Sequence, residues 1–255
     1  MILFDLDDTL VIEEQAAVDA FLAVGESARQ QCGLDPETLH QTIRQCARRY
    51  WHESPARPWC LAVGISSWEG LWADFQGDQP ELQALQAWSH EYRRAAWSTA
   101  LRECGADDSD LADELALRFI QERDRRHKTF PDVLPVLRSL STDNRMAVLT
   151  NGFSHHQWRK LRGAGLEGFF ETVIVSGDHG IGKPDPRIFS IAMSALGLSA
   201  AEVCMVGDSL SSDIAGARTS GLRAIWVNRD NVTPNDDAVP DAIISDLWQL
   251  PGLVR

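Results

Sequence analysis

MILFDLDDTL, residues 1–10, is the stretch on which the reading of this chain turns. Its first four residues are apolar, with the length and composition of a short buried strand, and the chain leaves that strand at Asp5 and Asp7. Acids at i and i+2 of an extended segment project to one side, close enough to share a metal ion. Like charges at that distance repel unless a cation or a proton separates them. An ordinary Asp-rich turn with a polar cap has the same local sequence, so the rest of the chain must decide.

No strand partner follows nearby. From about residue 14 to 128 the pattern is helical. Residues 14–32 are amphipathic and close on Gly33, and Asp35-Pro36-Glu37 restarts a helix with a cap residue and a proline at the first helical position. Residues 80–104 carry Leu82, Leu85, Trp88, Tyr92 and Ala96 at helical spacing and stop at Gly105; a further helix spans about 109–126. From Phe130 onward short β-rich runs at 146–149, 173–175, 203–206 and 224–227, with a weaker one at 242–244, alternate with helices near 132–140, 155–163, 187–196 and 211–219. That alternation predicts a parallel sheet with helices on both faces, and the N-terminal strand belongs to it. The fold class is α/β, a doubly wound, mainly parallel sheet built from residues 1–13 and 129–255, with an all-helical domain of residues 14–128 inserted after the first strand. Ligands in such folds bind at the carboxyl ends of the strands, the edge that carries Asp5 and Asp7.

Each relevant strand exit brings something to that edge. Thr150-Asn151-Gly152 offers a hydroxyl, an amide and a glycine that lets backbone N–H groups approach a ligand, although Thr150 alone also reads as a helix cap. In GIGKPDPRIF, residues 180–189, glycines precede Lys183 and prolines follow it. The chain has 21 arginines but only three lysines, Lys128, Lys160 and Lys183, so a lysine in a constrained turn is noticeable; a solvated surface lysine is the plain alternative. VGDSLSSD, residues 206–213, adds Asp208 and Asp213 beside another glycine.

Composition narrows the function. The net charge of −13 argues against nucleic-acid binding, which needs a basic surface, so positive charge for any phosphate must be placed locally. No apolar run approaches the ~20 residues of a membrane span, and no signal peptide opens the chain, which points to the cytoplasm. Five scattered cysteines with no C-x-x-C pair indicate neither a disulfide framework nor a zinc site, and the sequon at Asn231 carries no weight without a secretory route. GAGLEG, residues 163–168, fits G-x-G-x-x-G but follows a helix and precedes a strand, the reverse of the dinucleotide-binding order. His155 and His156 are adjacent on a helix start, face apart, and do not make a metal pair.

Four motifs in order, DLDDT (residues 5–9), Thr150, Lys183 and GDSLSSD (207–213), resemble those of the haloacid dehalogenase superfamily, and the helical insertion sits where that family places its large cap. TNGF, GKPDPRIF and VGDSLSSDIAGA, with the following GLRAIWVN, are most similar to the branch of pyrimidine 5′-nucleotidases and N-acylneuraminate-9-phosphate phosphatases. The resemblance implies a Rossmann-like core and a phosphomonoester hydrolase. In it Asp5 attacks phosphorus and becomes an aspartyl-phosphate, while Asp7 protonates the leaving alcohol and then takes a proton from water. It also implies Mg2+ at Asp5, Asp7, Asp208 and Asp213: the carboxylates of Asp5 and Asp208 and the backbone carbonyl of Asp7 as ligands, with Asp213 orienting Lys183 or a metal-bound water. Thr150, Asn151, Gly152 and Lys183 would meet the phosphoryl group. At 4 Å and an effective dielectric of 20, a carboxylate approaching a phosphate meets about 4 kcal/mol of repulsion per unit charge, so the metal and Lys183 are both needed.

Within that superfamily, 2-haloacid dehalogenases lack the acid at the position of Asp7, and phosphonoacetaldehyde hydrolases need a cap lysine that residues 14–127 do not contain. A sugar-phosphate mutase uses the same four motifs and remains an alternative. The expected partner is a small phosphorylated metabolite, a sugar phosphate or a nucleotide, bound by a monomer or homodimer without nucleic acid or membrane. Six of the nine tryptophans fall in the insertion, most as helical core. In WHESPARPWC, residues 51–60, Pro55 and Pro58 break the helix and leave Trp51, His52, Arg57 and Trp59 around a loop. An aromatic there suits a nucleobase or sugar face and Arg57 an anion; a surface loop with incidental aromatics fits equally.

Overall fold

A computed structural model describes residues 1–233 and 238–254. Strand β1 (Ile2–Phe4) is buried throughout and lies inside a six-stranded sheet with β2 (Met146–Thr150), β3 (Thr172–Val175), β4 (Cys204–Gly207), β5 (Arg223–Val227) and β6 (Ala242–Ile244). The order is β3-β2-β1-β4-β5-β6 and every pairing is parallel. Strands succeed one another outward from β1 through β2 to β3, then outward on the other side from β4 to β6. The order therefore reverses between β1 and β4, and a crevice opens there at the carboxyl edge. Phe4 is level with Val148 on one side and Val206 on the other, which brings the exits at Asp5, Thr150 and Asp208 to one end.

Helices are α1 (Glu14–Cys32), α2 (Pro36–Trp51), α3 (Arg57–Val63), α4 (Ser67–Gly70), α5 (Pro80–Glu103), α6 (Ser109–Asp124), α7 (Val133–Leu140), α8 (Ser154–Gly163), α9 (Pro186–Leu196) and α10 (Ala215–Thr219). By their contacts the described residues form two compact units, one of residues 1–12, 62–64, 128–233 and 238–254, the other of residues 13–61 and 65–127. Three residues of the helical stretch, Ala62–Gly64, thus pack with the sheet. The reason is local: the Val63 carbonyl accepts from the Gly152 N–H at 3.0 Å and from the Ser176 hydroxyl at 2.6 Å.

The sheet alternates side chains with period two. Ile2, Phe4, Val148 and Val206 face Val133, Val136, Leu137 and Leu140 of α7 and Leu161 of α8, while Leu3, Leu149 and Met205 face Ile188, Phe189 and Ala192 of α9. Termini follow the residues expected to make them. Asp35 caps α2 by accepting from the Thr38 N–H at 2.8 Å with Pro36 next, and Gly33 closes α1 in the left-handed region at φ 75°. Within the second unit the Arg123 guanidinium is buried against Glu13 at 2.8 Å and lies over the Trp72 ring at 4.8 Å.

Two elements differ from the sequence reading. Arg57 and Trp59 begin helix α3 rather than lining a loop, because Pro58 falls in its first turn, where no N–H is required; Trp51 is core, 5.3 Å from the Tyr92 ring. The helix expected over 211–219 starts as a π-turn, Leu210–Ile214, and becomes α10 only at Ala215. The wider turn tucks Asp213 inward, to 1% exposure. Among the described residues no helix is long and apolar enough to cross a membrane.

Asp132, 3% exposed, ties three segments of the first unit. Its Oδ2 accepts from Leu247 N at 2.5 Å and Arg229 Nη1 at 3.0 Å, and Arg229 Nη2 donates to the Thr9 carbonyl at 3.0 Å. Removing one partner of a buried ion pair leaves an uncompensated charge, so Asp132→Ala should lower stability by about 3 kcal/mol in urea unfolding; a loss below about 1 kcal/mol would mean that water reaches the pair.

Candidate active site

Lys183 lies buried between two carboxylates. Its Nζ is 2.5 Å from Asp5 Oδ1 and 2.6 Å from Asp213 Oδ1, and the three residues are at most 6% exposed. This is not a solvated surface lysine. Burial disfavours the ammonium, but the Asp213 and Asp5 carboxylates outweigh that and hold its pKa above the ordinary value. The turn carrying it is clamped by Asn151, whose Oδ1 accepts from Lys183 N at 2.8 Å and whose Nδ2 donates to Lys183 O at 3.0 Å. Asp213 is held as firmly, since its Oδ2 accepts from Ser209 N at 3.0 Å. Gly207 leaves the room for it: a Cβ there would stand 2.3 Å from Asp213 Oδ2.

Asp208 leaves β4 on the other side of the crevice. Thr9 donates to its Oδ1 at 3.0 Å, and the Trp226 indole N–H donates to its carbonyl at 2.7 Å. Carboxylate oxygens of Asp5, Asp208 and Asp213 lie within 4.8 Å of one another. Burial pushes the Asp5 carboxyl up to about 7, with Lys183 pulling it down and Asp213 and Asp7 adding to the rise. Asp208 is pushed well above its usual range by burial and by the Asp5 and Asp213 carboxylates.

The third part of the site joins β1 to β2. Asp7 is met by Lys160 Nζ at 3.0 Å from Oδ1 and 2.9 Å from Oδ2. Gln157 Nε2 donates to Asp7 Oδ2 at 2.9 Å and to Thr150 Oγ1 at 2.7 Å. Gly152 is at φ 128°, a region that side chains rarely adopt. Its N–H is engaged by Ser176 Oγ at 2.9 Å as well as by Val63 O. Of the residues expected at this edge, the structure brings together Asp5, Asp7, Thr150, Lys183, Asp208 and Asp213, with Asn151 and Gly152 holding their turns. Arg57 and Trp59 belong to the other unit, where both are half-buried and Arg57 Nη1 donates to Trp51 O at 3.5 Å. Gln157 and Lys160 have no role in the sequence reading; their spacing of three on one helical face, and the rarity of lysine in this chain, are the signals that point to them.

Asp5, Asp7, Asp208 and Asp213 against Lys160 and Lys183 leave two negative charges uncompensated when all are ionised. A divalent cation matches that deficit, and hard carboxylate oxygens are the donors such a cation takes. This acidic, lysine-bearing cluster lies at the carboxyl edge of a doubly wound parallel sheet, where ligands bind in such folds.

A family model described as haloacid dehalogenase-like hydrolase matches residues 1–221. The phosphoserine phosphatase of Thermus thermophilus is 38% identical over 251 residues, 98% of this chain and 97% of that protein. The human N-acylneuraminate-9-phosphatase is 31% identical over 169 residues, 65% of this chain and 68% of that protein. Among solved structures, the HAD-hydrolase YfnB of Bacillus subtilis, crystallised bound to magnesium, has a TM-score of 0.68 at 25% identity, covering 100% of this chain and 97% of that one. A 2-haloacid dehalogenase from Pseudomonas syringae has a TM-score of 0.62 at 30% identity, covering 98% and 96%. The chain belongs to the haloacid dehalogenase-like hydrolase family, and its class there is phosphatase.

Asp5 holds its proton more tightly folded than unfolded, since its pKa rises from 3.8 to about 7. Its contribution to stability is therefore present below the unfolded value and lost as pH rises through the folded one. A dication held by the Asp5 and Asp208 carboxylates would compete with that proton. The rise in melting midpoint on adding magnesium should thus be larger at about pH 8 than at about pH 5, and smaller in Asp208→Asn. An increment independent of pH would mean that the cation binds elsewhere.

Proposed function

We propose that the protein is a magnesium-dependent phosphomonoester hydrolase that works through an aspartyl-phosphate on Asp5. The observation that carries this is the buried contact of Lys183 with both Asp5 and Asp213 beside Asp7, Thr150 and Asp208. The carboxylates of Asp5 and Asp208 and the backbone carbonyl of Asp7 would hold the metal, with Asp213 behind them. When bound, magnesium supplies charge compensation between the anionic nucleophile and the anionic substrate. Asp5 attacks phosphorus, the bond to the leaving oxygen breaks, and Asp7 gives that oxygen a proton. Water then attacks the phosphoryl group as Asp7 takes its proton, which releases orthophosphate and restores the Asp5 carboxylate. Thr150 offers a hydroxyl to a phosphoryl oxygen, and Lys183 offsets the charge that gathers there.

A specific observation separates this reading from 2-haloacid dehalogenase chemistry, although a dehalogenase is among the structural relatives. Asp7 is an acid held at the site by two donors, and attack on carbon with halide as leaving group needs no proton donor. Asp5→Asn should abolish turnover and leave no phosphoenzyme. Asp7→Asn should cripple turnover yet accumulate phosphoenzyme from an aryl phosphate, whose leaving group needs little protonation. Acid-quenched intact-protein mass reads the added phosphoryl group. Labelling of the Asp5 variant, or chloride release from 2-chloropropionate by the Asp7 variant, would overturn the assignment.

The substrate is a small metabolite phosphomonoester. Supporting this, relatives named for phosphoserine and for glyceraldehyde 3-phosphate match nearly full length, the second from Methanopyrus kandleri at 28% identity over 264 residues. Selectivity resides in the helical insertion, with Arg57 meeting an anionic group and Trp59 a flat face of the substrate. On a panel of phosphoserine, glyceraldehyde 3-phosphate, sugar phosphates and nucleoside monophosphates, Arg57→Ala and Trp59→Ala should change the order of preference. Activity on p-nitrophenyl phosphate should stay within about threefold. Equal loss on every ester would remove the two residues from the specificity set.

A further inference from the structure

Gln157 and Lys160 lie three residues apart on one face of α8, and both are fully buried at 0% exposure. A lysine without exposed surface is costly unless its ammonium meets a counter-charge. Lys160 meets one at Asp7, close to both carboxylate oxygens. Gln157 adds a donor to Oδ2 and, with the same nitrogen, reaches Thr150 Oγ1. A carboxylate can only accept, which sets the NH2 end of that amide toward Asp7. The Thr150 oxygen accepts from Gln157, and its own hydroxyl hydrogen, directed here to the Asn151 carbonyl at 3.3 Å, is the one it would have to turn to a phosphoryl oxygen. Gly152 makes the room: a Cβ there would come within 3.1 Å of the Gln157 side chain.

Asp7 needs such support. Its side chain is 26% exposed, and a short acid at a solvent-reached turn would otherwise divide its time among rotamers. The reaction asks it to serve at one spot twice, first giving a proton to the leaving oxygen and then taking one from water. We propose that Lys160 and Gln157 are positioning residues, which fix the Asp7 carboxylate and, through Gln157, couple its place to that of the Thr150 hydroxyl. The inference rests on the phosphomonoesterase reading above.

The test compares wild type, Lys160→Met and Gln157→Leu, each with magnesium, on phenyl phosphate and p-nitrophenyl phosphate. Misplacing a catalytic group by about 1 Å costs about 10²-fold, so kcat/KM on phenyl phosphate should fall by about that factor in Lys160→Met and by about 10-fold in Gln157→Leu. The loss on p-nitrophenyl phosphate should be several-fold smaller, since that leaving group needs little protonation. Acid-quenched mass should show more phosphoenzyme in the variants than in wild type, because attack by water still depends on Asp7. Gln157→Leu keeps the shape of the site and carries the comparison if Lys160→Met melts. Equal losses on the two esters with no added phosphoenzyme, or no loss at all, would overturn the positioning role while the wild-type phosphoenzyme still stands. A wild type that hydrolyses neither ester and takes no label would overturn the underlying reading, and this inference with it.

Discussion

Lys183 between Asp5 and Asp213 is the contact on which the rest of the site depends. Two carboxylates held against one ammonium away from water would repel each other strongly without it. The chain spends much local structure on keeping them there. Asn151 clamps the Lys183 backbone from both sides, the π-turn draws Asp213 inward, and Gly207 leaves the gap that its carboxylate fills. Asn151 lies at the exit of β2, Gly207 and the π-turn at the exit of β4, and Lys183 itself follows β3. Only the sheet holds them in common.

Topology explains why a charged cluster can sit there at all. In a parallel sheet the carboxyl ends of the strands share one edge, and where the strand order reverses, the connections leave toward opposite faces. Here the reversal falls between β1 and β4. Asp5 with Asp7 and Asp208 with Asp213 thus face a common crevice, while apolar side chains fill both faces of the sheet behind them. The carboxyls of Asp5 and Asp208 are pushed up by this burial, and the excess of negative charge is what suits the site to a dication.

The relatives share this core while their names differ in substrate, among them phosphoserine, N-acylneuraminate 9-phosphate and glyceraldehyde 3-phosphate. A phosphoryl group is common to the three compounds in those names. What differs between them is the remainder of the molecule. Within the second unit, aromatic side chains pack into its own core, as Trp51 against Tyr92 and Arg123 over Trp72 illustrate.

The sequence by itself determined which strands exist, that they run parallel, and which residue stands at each strand exit. Short apolar, β-rich runs, helices with readable caps, and acids, glycines or a lysine just past the ends of the runs are local signals, so Asp5, Asp7, Thr150, Lys183, Asp208 and Asp213 could be named from them. Tertiary structure decided the rest. Arg57 and Trp59 turned out helical because Pro58 is tolerated in a first turn, a matter of one residue's position in α3. Ala62–Gly64 joined the sheet unit through hydrogen bonds to residues about 90 and 110 positions away. Gln157 and Lys160 became part of the site only because α8 packs its buried face beside the exit of β1. Their residue types and their spacing were visible, but the partner that gives them a role lies 150 and 153 residues earlier, and only the folded sheet brings it near.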